Sequence, residues 1–343
     1  MLPKSLVDDL ARFNLKVIED YDSVSRLSTG SIVADHALGG GLARRRIVEY
    51  FGNPSFGKST MAMVAVAETV NAGGTAIYFD TEGTFDPKWA ELLGLPRERF
   101  YLIQGVDLVG EDYLNGILAT IRSGQFDLIV LDTHDALIFS AEKGIKKKKK
   151  DDDTPSDGVG ESQIGIHAKI LKDFCKKAAD SLRATHTCLL LLSQMYSRIG
   201  VMYGNPDTAT GGKGKEFYAS IRVQFFTPET IKEGDEVVGQ IFHGKVVKNK
   251  TAPPFRDFHV TVRQFFNADE QQFWSVDFAQ DLIAMGNRYK VFTNKKGEQR
   301  GTSGAYIFGD EDLGGSEKDA IATLRERPDL REKLASVLRE KMG

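Results

Sequence analysis

Gly52-Asn53-Pro54-Ser55-Phe56-Gly57-Lys58-Ser59 is the stretch that decides the fold. It fits the pattern Gly-x4-Gly-Lys-Ser/Thr. The apolar run Val48–Phe51 precedes it and a helical pattern over 58–72 follows. A loop in that setting wraps phosphate oxygens in backbone N–H groups, and the helix N-terminus adds favourable partial charge. Lys58 is placed for the β- and γ-phosphates and the Ser59 hydroxyl for Mg2+. Thr60 closes the expected phosphate-binding stretch, Gly52 to Thr60.

Outward from this loop, short apolar runs alternate with helical segments. Ala76–Phe79, Leu128–Leu131 and Leu189–Leu192 read as strands buried on both faces, with helices over 58–72, 111–123 and 163–183 between them. This predicts an α/β fold with a mostly parallel central sheet. Ile221–Phe226 and Phe258–Gln264 alternate more and predict an antiparallel extension.

Three strand ends carry chemistry. The run Phe126–Asp132 ends in a carboxylate, which in P-loop proteins holds Mg2+ directly or through water. Phe79-Asp80-Thr81-Glu82 ends a neighbouring run, and a carboxylate there can polarise the water that attacks a γ-phosphate. Glu82 is the nominee and Asp80 its rival. Gln194 follows the run 189–193, where an amide can hydrogen-bond the γ-phosphate. A long Gly-rich segment comes next, containing Arg198, Ile199, Gly211, Gly212, Lys213 and Lys215. Gly and Lys together suit contacts to nucleic-acid phosphates.

Composition narrows the classes. Of 343 residues, 41% are hydrophobic and 27% charged, which supports a sizeable core and argues against disorder. A net charge of −3 excludes a wholly basic coat protein, though not a local basic channel. Cys175 and Cys188 form no CxxC pair and read as buried small hydrophobes in a reducing compartment. No apolar run reaches the roughly 18 residues of a membrane span, and no secretory signal is visible. The expected location is the cytoplasm, without membrane partners.

Leu6, Leu10, Phe13 and Val17 form one helical face, so residues 1–27 are expected to carry an N-terminal helix over 3–19. Residues 28–270 are expected to form the main domain and 271–343 a small α+β C-terminal domain. Ser316 and Asp319 resemble a capping box opening its first helix. Lys146–Lys150, followed at once by Asp151–Asp153, read as a solvated loop.

Together, LSTGSIVADHALGGGL (27–42), GNPSFGKST (52–60), FDTEGTFDP (79–87), IGVMYGNPDTATGGKGKEFYASIR (199–222) and GKVVKNKTAPPF (244–255) resemble the bacterial RecA recombinases. The resemblance implies a RecA-like ATPase core that forms a helical homo-oligomeric filament on single-stranded DNA. That filament would pair with homologous duplex DNA and exchange strands, with ATP and Mg2+ as cofactors and roles in DNA repair and the SOS response. It implies Glu82 as catalytic carboxylate, Asp86 and Trp89 as adenine contacts, and Gln194 as γ-phosphate sensor. Lys248 and Lys250 would reach ATP on the adjacent subunit, and Phe217 would lie at the subunit interface. The N-terminal helix would serve polymerisation. DNA contacts would come from a first loop region (Ile164, Gly165, Lys169, Lys172, Lys176) and a second (Arg198, Ile199, Gly211, Gly212, Lys213). Repressor and loader proteins would be further partners.

Three departures from the family pattern stand out. The Lys146–Asp153 insertion would add a phosphate-binding arm. The N-terminal segment looks short. No long acidic C-terminal tail is present, which implies weaker self-inhibition and easier duplex binding. Two other function classes remain at this point: a RecA-fold ATP-binding regulator without strand exchange, and a hexameric helicase. Hydrolysis that ignores single-stranded DNA would favour the regulator, and unwinding of forked duplexes the helicase.

Overall fold

The computed structural model describes residues 4–13, 24–105, 109–140, 164–197, 207–209, 212–301 and 304–342. The fold is α/β, built on one large and mostly parallel sheet. From one edge run Phe100–Gln104, Ala76–Asp80, Leu128–Asp132, Cys188–Ser197, Ile47–Gly52 and Ile221–Phe225, all parallel. Glu236–Asn249, Asp257–Phe266 and Gln272–Val276 continue it antiparallel. Short strands Glu229–Glu233 and Asp207–Ala209 pair with Glu236–Asn249 and Cys188–Ser197. The sheet therefore runs to Val276, past the expected domain boundary at 270.

The parallel strands are apolar throughout because both faces are covered. Val48, Tyr50, Val130, Leu190 and Leu192 pack with Met61, Ala62, Ala65 and Val66 of the helix Lys58–Asn71. Their neighbours Ile47, Ile129, Leu131, Leu189 and Leu191 point the other way, onto the helices Gly110–Ser123 and Ile164–Leu182. Each fully buried Leu or Ile contributes roughly 1.5–3 kcal/mol. Both cysteines lie in these two layers, buried and unpaired.

A third cluster gathers Leu282, Phe292, Tyr306, Leu324, Leu334 and Leu338 of the C-terminal helices and hairpin around Ile32 of the core. The helix Glu317–Glu326 opens on the expected capping box of Ser316 and Asp319. Ser31 ties the core to the C-terminal helix Phe278–Arg288, its hydroxyl donating to Asp281 Oδ2 at 2.5 Å. Near the N-terminus the described residues form the helix Lys4–Arg12, with Phe13 just past its end, and residues 14–19 of the expected 3–19 helix, Val17 among them, lie outside the described residues.

Register sets the site. Gly52 stands opposite Gln194, and Asp80 opposite Asp132. Four chemistry-bearing positions thus share the C-terminal rim of adjacent parallel strands, where α/β sheets hold ligands.

Candidate nucleotide and nucleic-acid site

The phosphate loop rests on a floor supplied by the antiparallel half of the sheet. Gly57 has φ +88°, and a Cβ there would fall 2.1 Å from the Phe242 ring. Only glycine permits both the left-handed turn and that approach. Lys58 is buried, its ammonium donating to the Gly52 carbonyl at 2.9 Å and the Asn53 carbonyl at 2.8 Å. Burial lowers its pKa, while Asp132, Glu82 and Asp135 oppose that shift.

Asp132 accepts from the Tyr78 hydroxyl and also from Ser59. Burial raises its pKa, those two donors lower it, and Glu82 and Asp80 add to the rise. The hydroxyl and carboxylate expected to hold Mg2+ are therefore within hydrogen-bonding reach of each other. Hard oxygen donors of this kind suit Mg2+, which keeps several waters and takes its remaining ligands from phosphates. The donor set fits that ion.

Asp80 is spent elsewhere. Its carboxylate accepts from the backbone N–H groups of Gly83, Thr84 and Phe85 at 2.9, 3.3 and 3.0 Å, and from the Gln104 amide at 2.8 Å. Buried and saturated, it shapes the turn that presents Glu82. The Glu82 Oε1 accepts from the Thr133 hydroxyl at 3.1 Å and from the Gln194 side-chain amide at 3.0 Å. Glu82 is exposed to the rim.

The expected adenine contacts have partners of their own. Asp86 caps the short helix Pro87–Leu92, accepting from the N–H groups of Lys88 and Trp89. Trp89 is half-buried, edge-on to Trp274 at 5.2 Å between ring centres.

Lys248 and Lys250 converge on the carboxyl end of the helix Gly212–Tyr218. Lys248 donates to the carbonyls of Glu216 and Phe217 at 2.5 and 3.2 Å, and Lys250 to that of Phe217 at 3.3 Å. The Lys250 ammonium also lies 5.3 Å from the centre of the Phe217 ring, which is 68% exposed. Burial and then the neighbouring Lys250 and Arg222 lower Lys248 to about 8.

The two expected DNA-binding regions meet through their helices. In Ile164–Leu182, Leu171, Phe174, Cys175 and Ala178 are buried, while Lys169, Lys172 and Lys176 form an exposed stripe. A Cβ on Gly214 would lie 2.7 Å from Lys172 Cβ, so the second region's helix crosses the first at that lysine. Gly165 is exposed, and Gly212 has φ +74° beside Ala168. For Ile164 and Lys213 only the helical backbone is described. Arg198, Ile199, Gly211 and the Lys146–Asp153 insertion lie outside the described residues.

Lys215 corrects the reading of the Gly-rich segment. Its ammonium is fully buried and pairs with Glu49 Oε1 at 2.5 Å instead of facing phosphates. It also donates to Ser193 Oγ at 2.7 Å and lies 3.1 Å from His134 Nε2. Arg222 binds the other Glu49 oxygen at 2.5 Å. Burial pushes the Glu49 carboxyl up, but Lys215 and Arg222 outweigh it and hold it below the usual carboxylate range. Burial, then Lys215 and His167, push His134 well down, so its ring is neutral.

Thr133, His134 and Asp135 are not among the residues the sequence singles out, and Lys215 is singled out there only for phosphate contact. The first three directly follow the carboxylate that ends the strand at Asp132, and that adjacency was a usable signal. Lys215 gave none.

The family model for the RecA N-terminal domain matches residues 14–267. Protein RecA of Dichelobacter nodosus is 35% identical over 320 residues, covering 93% of this chain and 83% of that protein. Protein RecA of Staphylococcus aureus strain JH9 is 33% identical over 322 residues, covering 93% and 84%.

Proposed function

Because this chain belongs to the RecA family, we propose that it is a DNA-dependent ATPase. It assembles as a helical filament on single-stranded DNA, pairs that strand with homologous duplex and promotes strand exchange. The observation that carries the reading is the hydrogen bond between Gln194 and Glu82 at the mouth of the phosphate loop. It joins a carboxylate able to accept a proton from water to an amide on the strand that leads into the second DNA region.

In this reading the triphosphate lies across Gly52 to Thr60. Lys58 exchanges the Gly52 and Asn53 carbonyls for β- and γ-phosphate oxygens. Ser59 and Asp132 would hold Mg2+, which would supply charge neutralisation at the phosphates. Glu82 takes a proton from the attacking water, a contribution typically worth 10²–10⁴-fold. The Gln194 amide turns from Glu82 to the γ-phosphate and reports its presence. Asp86 and Trp89 face the adenine. Lys248 and Lys250 leave the helix end they cap and stabilise the phosphates of an adjacent subunit.

Lys169, Lys172, Lys176, Lys213 and Arg198 bind backbone phosphates, with Ile164, Gly165, Ile199, Gly211 and Gly212 beside them. Such contacts carry no sequence code, so base pairing does the reading. Repressor and loader proteins are further partners, and the cytoplasm is the working location.

ATP hydrolysis with and without single-stranded DNA, alongside electron microscopy with an ATP analogue, tests the proposal. Strong stimulation and regular filaments are expected. Hydrolysis indifferent to DNA, without assembly, would instead favour a RecA-fold regulator.

A further inference from the structure

A fully buried lysine needs a reason. Taking an ammonium out of water costs several kcal/mol, and a buried ion pair is often no more stabilising than a well-packed apolar side chain. Arg222 binds the other Glu49 oxygen and also reaches Glu216 Oε1 at 3.3 Å, so two cations serve two carboxylates here. Lys215 is a second cation on one carboxylate.

Its position is informative. Lys215 sits in the helix Gly212–Tyr218, which follows the second DNA region, and each of its partners belongs to the nucleotide rim. Glu49 is on the phosphate-loop strand. Ser193 immediately precedes Gln194 and donates to Glu49 Oε1 at 2.8 Å. His134 follows Asp132 and Thr133.

From Lys215 a chain of polar contacts runs toward the expected base, hydrogen-bonded at each link except the one between His134 and Asp135. An ammonium only donates, so His134 Nε2, 3.1 Å away, accepts and the ring proton belongs on Nδ1. That Nδ1 lies 3.2 Å from Asp135 Oδ1, a close electrostatic contact without hydrogen-bond geometry. Asp135 Oδ2 accepts the Gln194 backbone N–H at 2.8 Å, and the Gln194 amide donates to Glu82 at 3.0 Å.

We propose that Lys215, acting through His134 and Asp135, is a positioning residue that couples the helix of the second DNA region to Gln194 and Glu82. The inference rests on the functional reading above and deepens it. DNA ordering that helix shifts the ammonium, and the shift reaches the backbone amide that sets the Gln194 side chain. A nucleotide that moves Gln194 pulls on the helix in return, since coupling between two sites is reciprocal.

Lys215→Met removes the charge and keeps most of the volume, leaving Glu49 paired with Arg222. DNA stimulation of ATP hydrolysis should fall about tenfold, within the usual range of site-to-site coupling. Hydrolysis without DNA should stay within about twofold of the parent, since the coupling term alone is removed. His134→Leu cuts the chain one link further on and should cause the same loss. The double variant should lose no more than either single one, because both act on one route.

Basal and stimulated rates falling together in both variants would overturn the inference. So would losses that multiply in the double variant. If Lys215→Met does not fold, His134→Leu carries the test alone. Amide hydrogen exchange over 212–218 gives a readout without DNA. A non-hydrolysable ATP analogue should alter it in the parent and not in the variants, and an equal response in all three refutes the coupling. A parent enzyme whose hydrolysis ignores DNA would sink the functional reading, while the exchange measurement still judges Lys215.

Discussion

Gln194 and Glu82 are bound to each other, amide to carboxylate, across 3.0 Å. The bond occupies one Glu82 oxygen together with Thr133 Oγ1. A carboxylate so engaged is held in one orientation, and drawing the amide away toward a phosphate leaves only Thr133 on that oxygen. Gln194→Ala should therefore bind ATP normally and uncouple hydrolysis from DNA. Nucleotide affinity and the ratio of stimulated to basal rates check this, and a preserved ratio contradicts it.

Glu82→Gln removes the proton acceptor while keeping its shape and its hydrogen bond from Thr133. Hydrolysis should fall 10²–10⁴-fold, roughly the worth of a general base. ATP and DNA binding should persist, so filaments should stall in the assembled state. Steady-state turnover and microscopy read the two effects separately.

Lys58→Ala deletes the ammonium now held by the Gly52 and Asn53 carbonyls. The parent should melt at a higher temperature with an ATP analogue, because ligands that bind only the folded state stabilise it. The variant should show no such shift. An undiminished shift would remove Lys58 from the phosphate site.

Lys169, Lys172 and Lys176 project from one helical face, opposite Leu171, Phe174 and Cys175. If each meets one phosphate of single-stranded DNA, replacing all three by Ala should lower the slope of log K against log salt by about 2. An unchanged slope, measured by anisotropy across salt concentrations, would place the strand elsewhere.

Asp281 gives a pH signature. Burial raises its carboxyl to about 7 despite the Ser31 hydroxyl, and Asp277 and Asp35 add to the rise, with Arg325 paired to Asp277. Unfolded, it ionises near 4. The folded state thus holds an extra proton between those values, so the Asp281 contribution to stability is lost as pH rises toward and through 7. Asp281→Asn should gain on the parent between pH 5 and 8, by up to about 3 kcal/mol. Denaturant titrations at both pH values check it, and an equal difference at each would refute it.

Much of the architecture was legible because its signals are local. Leu128–Leu131 and Leu189–Leu192 are continuous apolar runs, and only strands covered on both faces need them. The phosphate loop announces itself through spacing, and Asp132 through its place at a strand end. Which of Asp80 and Glu82 the following turn consumes depends on the backbone amides of Gly83 and Phe85, which bind Asp80, and no local pattern shows that. Lys215 was illegible for a deeper reason. Gly212-Lys213-Gly214-Lys215 has the composition of a solvent-facing loop, and its burial depends on Glu49, far away in the chain. No periodicity within the segment encodes that partner.

The strand Glu236–Asn249 places Phe242 beneath Gly57 and carries Lys248 near its far end. At about 3.3 Å per residue, the two positions stand roughly 20 Å apart. In a polymer one rigid rod would then underlie the triphosphate of its own protomer and lend a cation to the next. Neighbouring hydrolysis events would share a mechanical part, and a bend in that rod would be felt at two adenosine triphosphates at once.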